Sequence, residues 1–304
     1  MAHIFGPVPS RRLGLSLGID LIPLKTCTYN CLYCQVGKTT RQSLKVDSFV
    51  SVTEVLEELE KKLEICSPDA ITLSGSGEPT LSSDIGRIIS LVKERTDTKT
   101  VVLTNGSLLW RKDVRHRVSE ADIIMPTVTT VYDETFRLIH EPHADLDLNT
   151  ILEGLKSLRQ TYKGNLFLEV VLLSGFNDSE KELEGLKGMI DQVSPDKIQL
   201  NTVVRPPSDP RAISLDMKRL EEIKSLFGEK AEIIAQTPLK HKKGKDDTVN
   251  ATILEMAKRR PVRARDVANV CDIPLKEAES LIKGLAVKGV LRQQEHEGEV
   301  FYTN

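Results

Sequence analysis

The sequence predicts an α/β fold in which a partial (βα)6 TIM-like barrel of parallel strands precedes a small winged helix-turn-helix domain. Between about residues 16 and 236, short apolar or β-branched runs alternate with amphipathic helical stretches. Because parallel strands need long crossover connections, this alternation favours a parallel sheet with helices between its strands. Six such repeats without an antiparallel block favour a barrel over a doubly wound sheet.

The repeat is built from six or seven strand candidates and five helical patterns. The strand runs are 16–22, 70–73, 100–103, 122–125, 166–173, 197–200 and 232–235. The helical patterns are 52–63, 83–93, 150–158, 179–190 and 216–227. Ser51 and Glu54 form a capping box at the start of the first helix, and Asn149 is the predicted N-cap of the third.

A basic segment without apolar periodicity divides the chain into two parts. Residues 238–248 contain four lysines and a histidine and are predicted to be a linker. The barrel is therefore expected over residues 1–237 and the second domain over residues 249–304. The second domain is predicted to have helices at 252–258, 264–270 and 275–288, then strands at 290–293 and 300–303. This is the element order of a winged helix-turn-helix.

Composition excludes several classes of protein. The 304 residues carry 42 Lys and Arg against 44 Asp and Glu, so the net charge is −2 and binding of nucleic acid by bulk charge is excluded. No stretch approaches 18 apolar residues, and the first twelve residues lack the apolar core of a signal peptide. A cytoplasmic protein that does not enter the membrane is expected.

The strongest chemical signal is a cluster of three cysteines directly after the first predicted strand. Cys27, Cys31 and Cys34 lie on one short loop, at the strand end where barrel enzymes build their sites. A structural zinc site requires four Cys or His ligands, and three cysteines do not complete one. Ligation of an iron–sulfur cluster with one iron left open fits this set better. Cys66 and Cys271 lie singly in helical patterns and are interpreted as buried side chains.

The spacing Cys-x3-Cys-x2-Cys, with Tyr33 before the last cysteine, resembles the signature of radical S-adenosylmethionine (SAM) enzymes. The resemblance implies a 4Fe-4S cluster held by Cys27, Cys31 and Cys34, with SAM chelating its open iron. An electron from the cluster then cleaves SAM to a 5′-deoxyadenosyl radical. It also implies that Tyr33 flanks the adenine and that a reductase such as ferredoxin or flavodoxin supplies the electron.

A second motif, Ser74-Gly-Ser-Gly-Glu-Pro-Thr80, follows the next predicted strand. Glycines let a backbone approach a ligand closely, and the carboxylate of Glu78 can accept from a cationic group. The motif resembles the Gly-Gly-Glu-Pro motif of the radical SAM family. By that resemblance, Gly75, Ser76, Gly77 and Glu78 hold the SAM amino group.

Polar residues at later strands are further candidates for SAM contacts. Asn105 belongs to an Asn-Gly turn signal, but in the family a polar residue at this point often reaches the SAM ribose or carboxylate. Thr129 takes the place where relatives often carry an aspartate. Asn201 and Glu169 lie in or beside apolar strands, where ordinary hydrogen bonds within the core are the other interpretation.

Arginines near the predicted site suit an anion. Arg205 lies just past a strand end and is expected to grip an anionic substrate or the SAM carboxylate. Arg11 and Arg12 precede the first predicted strand, where they either bind a phosphate or carboxylate or form a solvated pair.

The opening of the chain, Gly6-Pro-Val-Pro-Ser-Arg-Arg-Leu-Gly14, resembles a radical SAM subgroup related to wyosine-type tRNA synthases. Those enzymes carry upstream cysteines for a second cluster, and no cysteine precedes Cys27 here, so wyosine synthesis is not assigned. The substrate is a tRNA, a protein or a small molecule. The alternative hypothesis is a redox-sensing regulator that binds DNA through the winged helix, although Glu277 and Glu279 in its third helix are poorly suited to phosphate contact.

Overall fold

The computed structural model describes residues 3–234, 249–271 and 273–304, and within them twelve strands form one large sheet and two small ones. The predicted linker, 238–248, lies outside the described residues. The strands are β1 (Ile4–Ser10), β2 (Gly14–Ile19), β3 (Thr26–Cys27), β4 (Arg41–Gln42), β5 (Ala70–Leu73), β6 (Lys99–Thr104), β7 (Ile123–Val128), β8 (Asn165–Val171), β9 (Lys197–Asn201), β10 (Ala231–Ile233), β11 (Arg292–His296) and β12 (Glu299–Thr303).

The large sheet has the order β1-β2-β5-β6-β7-β8-β9-β10, and every neighbouring pair from β2 to β10 is parallel. The predicted parallel α/β sheet is therefore confirmed. The sequence prediction missed β1, which pairs antiparallel with β2 at one edge and has a register shift between Phe5 and Val8. Gly6, Pro7 and Pro9 interrupt its apolar pattern, and such residues normally mark turns.

Helices follow most of the strands. They are α1 (Val52–Ile65), α2 (Ile85–Lys93), α3 (Lys112–Val118), α4 (Asp133–His140), α5 (Leu148–Thr161), α6 (Glu180–Val193), α7 (Met217–Phe227), α8 (Val249–Arg259), α9 (Ala264–Cys271) and α10 (Leu275–Val287). Ser51 caps α1 as predicted, by accepting from the backbone N–H of Glu54. The prediction for α5 was wrong: Asp147, not Asn149, is its N-cap and accepts from the N–H of Thr150 at 2.7 Å.

The main core lies between the large sheet and its helices. All four residues of β5 are buried, as expected for a parallel strand that is covered on both faces. A second apolar cluster lies under α8, α9 and α10 and includes Ile253, Val267 and Tyr302. Val8 of β1 packs against this second cluster, so the C-terminal helices lie directly on the edge of the large sheet.

The C-terminal part has the predicted order of three helices and a hairpin. β11 and β12 pair antiparallel, and Glu297 and Gly298 in the turn both have positive φ, at 50° and 74°. Positive φ at both central residues matches the right-handed twist of a two-residue hairpin. Within the described residues, no helix combines the length and the apolar character that crossing a membrane requires.

Candidate functional site

A cavity of about 300 Å³ lies inside the partial barrel, and most of its wall comes from the carboxyl ends of the parallel strands. This end of a barrel is where active sites are built. Ten of the predicted site residues line the cavity: Cys27, Tyr33, Cys31, Cys34, Gly75, Ser76, Gly77, Glu78, Asn105 and Asn201. The structure therefore brings these ten residues together around one cavity.

The three cysteines lie on a segment that we call the cysteine loop, residues 26–37. Successive backbone bonds fold it into turns, in which the N–H of Cys34 donates to Cys31 and the N–H of Gly37 donates to Cys34. All three cysteines carry free thiols. Removal of water raises the pKa of Cys27 to about 12 and that of Cys31 well above its usual range. A nearby cation would be needed to keep these thiols ionised.

The thiol arrangement suits a cluster better than a single metal ion. Among the described residues, no three Cys, His, Asp or Glu side chains converge as the ligands of one ion. A 4Fe-4S cluster instead takes one thiolate on each of three separate irons. Three thiols around one cavity, without a fourth cysteine, therefore fit a cluster that keeps one iron open.

Residues 74–78, which we call the glycine loop, pack tightly against the cysteine loop. The carboxylate of Asp20 accepts from the Ser76 N–H at 3.1 Å and from its hydroxyl at 2.5 Å. Gly75 has φ +150°, and a Cβ there would lie 2.4 Å from Cγ of Asp20. A Cβ on Gly77 would lie 1.8 Å from the carbonyl oxygen of Thr26. Glycine is thus required at both positions by close approach.

Two backbone bonds join the glycine loop to the cysteine loop and to Lys25, the residue directly before it. The N–H of Lys25 donates to the carbonyl of Ser76 at 2.9 Å, and the N–H of Glu78 donates to the carbonyl of Thr26 at 3.3 Å. The position of one loop therefore fixes the position of the other. This coupling places the thiols and the predicted SAM-binding residues around a single cavity.

Glu78 is buried and is held by donors on both carboxylate oxygens. Oε1 accepts from the Thr80 N–H and from the hydroxyls of Thr80 and Thr104, while Oε2 accepts from the Asn105 N–H at 2.8 Å. Burial raises the pKa of Glu78 above its usual value. Because Oε2 receives a single hydrogen bond from the described residues, it keeps acceptor capacity for a cationic ligand group.

Asn105 contacts the cysteine loop and lines the cavity, and Tyr33 belongs to that loop and also lines the cavity. The Asn105 side-chain amide donates to the Thr28 hydroxyl at 2.8 Å and lies 3.5 Å from Sγ of Cys27. The Tyr33 ring meets the His140 ring edge-on, with 5.8 Å between centroids. Both residues are therefore placed to contact a ligand and to support the thiols.

Thr129 does not lie where the prediction of a direct contact with SAM requires it. It is buried and is absent from the described wall of the cavity, where Thr127 of β7 stands instead. The Thr129 hydroxyl lies 2.7 Å from Nε2 of His140. β7 ends at Val128, so the strand alternation that brings Thr127 to the cavity does not extend to Thr129.

His140 at the end of α4 is a site residue that sequence reasoning missed. Its Nδ1 lies 3.1 Å from Sγ of Cys31, and burial lowers its pKa to about 3, so the imidazole is neutral. When Thr129 donates its hydroxyl to Nε2, Nδ1 carries the proton and donates to the Cys31 sulfur. The last carbonyls of α4, on Ile139 and His140, accept from N–H groups of the cysteine loop. A lone histidine 109 residues from Cys31 gives no sequence signal of this contact.

Asn201 belongs to a series of hydrogen-bonded polar side chains that crosses the barrel. Its side-chain amide donates to Glu169 at 3.0 Å, and its amide oxygen accepts from Arg11 at 3.3 Å. Glu169 also accepts from Arg12 at 2.7 Å, and these charge interactions hold its pKa below the usual value although burial opposes them. Asn201 therefore has hydrogen bonds within the core and also lines the cavity.

Sequence and structure comparisons agree with this site. Residues 21–185 match the Radical SAM superfamily. The chain is 32% identical to a UPF0026 protein of Methanocaldococcus jannaschii, over 99% of this chain and 96% of that protein. It is 36% identical to a protein named GTPase Obg from Brachyspira hyodysenteriae, over 99% of this chain but only 45% of that protein.

A structure of TYW1 with a lysine-pyruvate adduct bound has the same fold, with a TM-score of 0.55 and 16% identity over 73% of this chain and 75% of that one. This likeness confirms the predicted partial-barrel architecture. The matched segment begins just before the cysteine loop and extends over the glycine loop and β5 to β8. The chain belongs to the radical SAM superfamily.

Proposed function

We propose that the protein holds a 4Fe-4S cluster through Cys27, Cys31 and Cys34 and uses it to cleave SAM reductively. The bound cluster and SAM would together supply a 5′-deoxyadenosyl radical, which removes a hydrogen atom from a substrate still to be identified. The observation that carries the proposal is the hydrogen-bonded pairing of the cysteine loop and the glycine loop around one cavity.

The chain's own residues have distinct roles in this proposal. The three thiolates ligate iron, and Glu78 accepts from the SAM amino group beside the backbone of Gly75, Ser76 and Gly77. Tyr33 flanks the adenine, and Asn105 and Asn201 bind the ribose or carboxylate from the cavity wall. His140 positions Cys31 through its ring nitrogen, and Thr129 acts through His140.

An enzyme is favoured over a DNA-binding regulator. Glu277 is exposed in the first turn of α10, where a winged helix would approach the phosphates of DNA. Arg263 of the C-terminal part pairs with Asp266, and Asp266 also pairs with Arg205 of the barrel. This C-terminal arginine therefore lies toward the barrel. The substrate is then a tRNA, a protein or a small molecule, and the electron donor is a reductase such as ferredoxin or flavodoxin.

The decisive experiment is anaerobic reconstitution followed by a SAM cleavage assay. The wild-type protein should bind about four iron and four sulfide per chain, as a 4Fe-4S cluster requires. With dithionite and SAM it should release 5′-deoxyadenosine, detected by liquid chromatography and mass spectrometry. Alanine at Cys27, Cys31 or Cys34 should abolish both the cluster and the release.

Cys66→Ala is the matched control, because it removes a thiol from the C-cap of α1, outside the described cavity wall. It should retain iron and activity. A fully reconstituted protein that releases no 5′-deoxyadenosine would overturn the proposal. Mass spectrometry of tRNA nucleosides and of the proteome from a deletion strain would then identify the substrate class.

A further inference from the structure

Lys25 directly precedes the cysteine loop, and its backbone joins three segments of the site. Its N–H donates to the carbonyl of Ser76 in the glycine loop at 2.9 Å. Its carbonyl accepts from the N–H groups of Thr40 and Arg41, at 3.1 and 3.0 Å. The Lys25 backbone also has φ +60°, a left-handed conformation that a residue with a Cβ rarely adopts. Strained positions of this kind persist where the surrounding structure enforces them, often at functional sites.

The side chain of Lys25 ends against the far end of the cysteine loop. Lys25 lines the cavity, and its Nζ packs on Gly37, where a Cβ would lie only 2.7 Å from Nζ. The Gly37 N–H donates to the carbonyl of Cys34 at 3.2 Å, so the ammonium lies beside the turn that carries Cys34. A Cys34 thiolate attracts the Lys25 ammonium electrostatically. Lys25 thus extends from the glycine loop to the last of the three thiols.

Nζ of Lys25 is buried and has no hydrogen-bond partner among the described residues. The other basic side chains on the described wall of the cavity all donate to acceptors of the protein itself; they are Arg11, Arg12 and Arg205. A buried ammonium without an acceptor is costly, because nothing replaces the water that it has lost. Since the described residues supply no acceptor for this charge, an anionic group bound in the cavity is the partner that suits it.

The proposed cluster brings negative charge to this part of the cavity. Three thiolates ligate it, and Cys34 is the thiolate whose turn lies against Nζ of Lys25. Reduction of the cluster adds one more negative charge. A neighbouring ammonium stabilises that charge and can donate a hydrogen bond to sulfur.

We propose that Lys25 is the charge partner of the iron–sulfur cluster, with its ammonium donating to sulfur at Cys34 and stabilising the reduced cluster. The inference rests on the proposed function in one respect, which is that the three cysteines hold a cluster. Net charge and hydrogen bonds to the sulfurs are among the properties that set the reduction potential of such clusters. Lys25 therefore makes the cluster easier to reduce and harder to lose.

The test is the reduction potential of the cluster in Lys25→Met, measured without SAM on the anaerobically reconstituted full chain. Methionine keeps an unbranched side chain and removes the charge. The potential should be more negative than that of the wild type in a redox titration followed by electron paramagnetic resonance, because the reduced cluster loses a positive neighbour. In competition with an iron chelator, retention of iron should weaken by about 10- to 100-fold, as for other outer partners of metal sites.

Lys38→Met is the matched control. Lys38 directly follows Gly37, but it is exposed and absent from the described wall of the cavity. The change removes the same charge from the same stretch of chain, at a position where solvent screens it. Its potential and its retention of iron should equal those of the wild type. A wild-type potential in Lys25→Met with normal iron content, or an equal shift in both variants, would overturn the inference.

A second readout uses the protein before reconstitution. There, Lys25→Met replaces an unpartnered buried ammonium with an apolar group, so its melting temperature should exceed that of the wild type. The rise in melting temperature on reconstitution should be smaller for Lys25→Met, because stabilisation by a ligand grows with its affinity. Lys25→Gln is a second neutral variant. If both variants melt below the wild type before reconstitution, or fail to fold, the ammonium already has a partner in the protein and the inference is overturned.

The carboxylate of SAM is the other anion that fits a lysine in this cavity. If Lys25 bound that carboxylate instead, Lys25→Met would keep the wild-type potential in the absence of SAM. It would also bind S-adenosylhomocysteine more weakly in isothermal titration calorimetry. That pair of results would overturn the inference.

Failure of the proposed function gives a different result. If the cluster potential depends on Lys25 but the protein releases no 5′-deoxyadenosine, the proposed cleavage of SAM is refuted and this inference stands. If the protein cleaves SAM while Lys25→Met and the wild type have the same potential, only this inference is refuted. A wild-type protein that takes up no cluster refutes both.

Discussion

Replacing Gly77 with alanine measures how closely the glycine loop must approach the cysteine loop. The added Cβ would lie 1.8 Å from the carbonyl oxygen of Thr26, whereas real Cβ contacts stay beyond about 3.0 Å. The two loops must therefore separate by at least about 1.2 Å, and Thr26 precedes Cys27 directly. A misplacement of about 1 Å at a catalytic site can reduce the rate by about 100-fold.

The expected result for Gly77→Ala is a loss of SAM cleavage of about 100-fold, with the protein still folded. The hydrogen bond from the Glu78 N–H to Thr26, at 3.3 Å, would break, and the Glu78 carboxylate would move with it. The assay is the initial rate of 5′-deoxyadenosine release after anaerobic reconstitution. Iron content and circular dichroism should be measured on the same sample, so that loss of the cluster is distinguished from loss of alignment.

Gly188→Ala is the matched control. Gly188 lies within α6, is exposed, and a Cβ there would meet nothing within 4 Å. This change should leave cleavage unaffected and stabilise the helix by up to about 1 kcal/mol. Wild-type cleavage by Gly77→Ala, in a protein with normal iron content, would refute the requirement for close approach of the two loops.

Three other substitutions test separate parts of the structure. His140→Phe removes the ring nitrogen that contacts the Cys31 sulfur and should make the reduction potential of the proposed cluster more negative. An unchanged potential in a redox titration followed by electron paramagnetic resonance would contradict this role for His140. Asp147→Ala should lower the free energy of unfolding by about 1 kcal/mol, whereas Asn149→Ala should change it by less than about 0.5 kcal/mol in urea titrations. Tyr162→Phe removes a buried 2.6 Å hydrogen bond to a backbone carbonyl and should cost about 1 to 3 kcal/mol in the same titrations; no loss would mean that the carbonyl finds another donor.

The sequence predicted those parts of the site that consist of short local motifs. Cys27, Cys31 and Cys34 lie within eight consecutive residues, and Gly75 to Glu78 are contiguous. Each motif follows a strand with a clear apolar pattern, so its place at the strand end could be predicted without knowing the register. The same reasoning placed Asn105 and Asn201, which also follow strands, on the wall of the cavity.

The parts that were missed depend on contacts across the fold. His140 reaches Cys31 because α4 packs beside the cysteine loop, and neither its sequence neighbours nor its spacing indicates this. Thr127 faces Glu169 through the β7–β8 register, at 2.9 Å between hydroxyl and carboxylate. Thr129 lies two residues further on and shares that parity, but β7 ends before it. The alternation of side chains along a strand, with its period of two residues, does not reveal where the strand ends.

β1 is an edge strand of the large sheet. An exposed edge has unpaired N–H and C=O groups with which a strand of another polypeptide can pair. Here α8 and α9 pack against β1, and the Arg259 guanidinium lies 4.5 Å from the centroid of the Phe5 ring. The C-terminal helices thus cover this strand and protect it from strand addition and aggregation, in addition to any part in ligand binding. A chain truncated before Val249 would expose Phe5 and Val8 on an unpaired strand edge, and its solubility would fall for that reason.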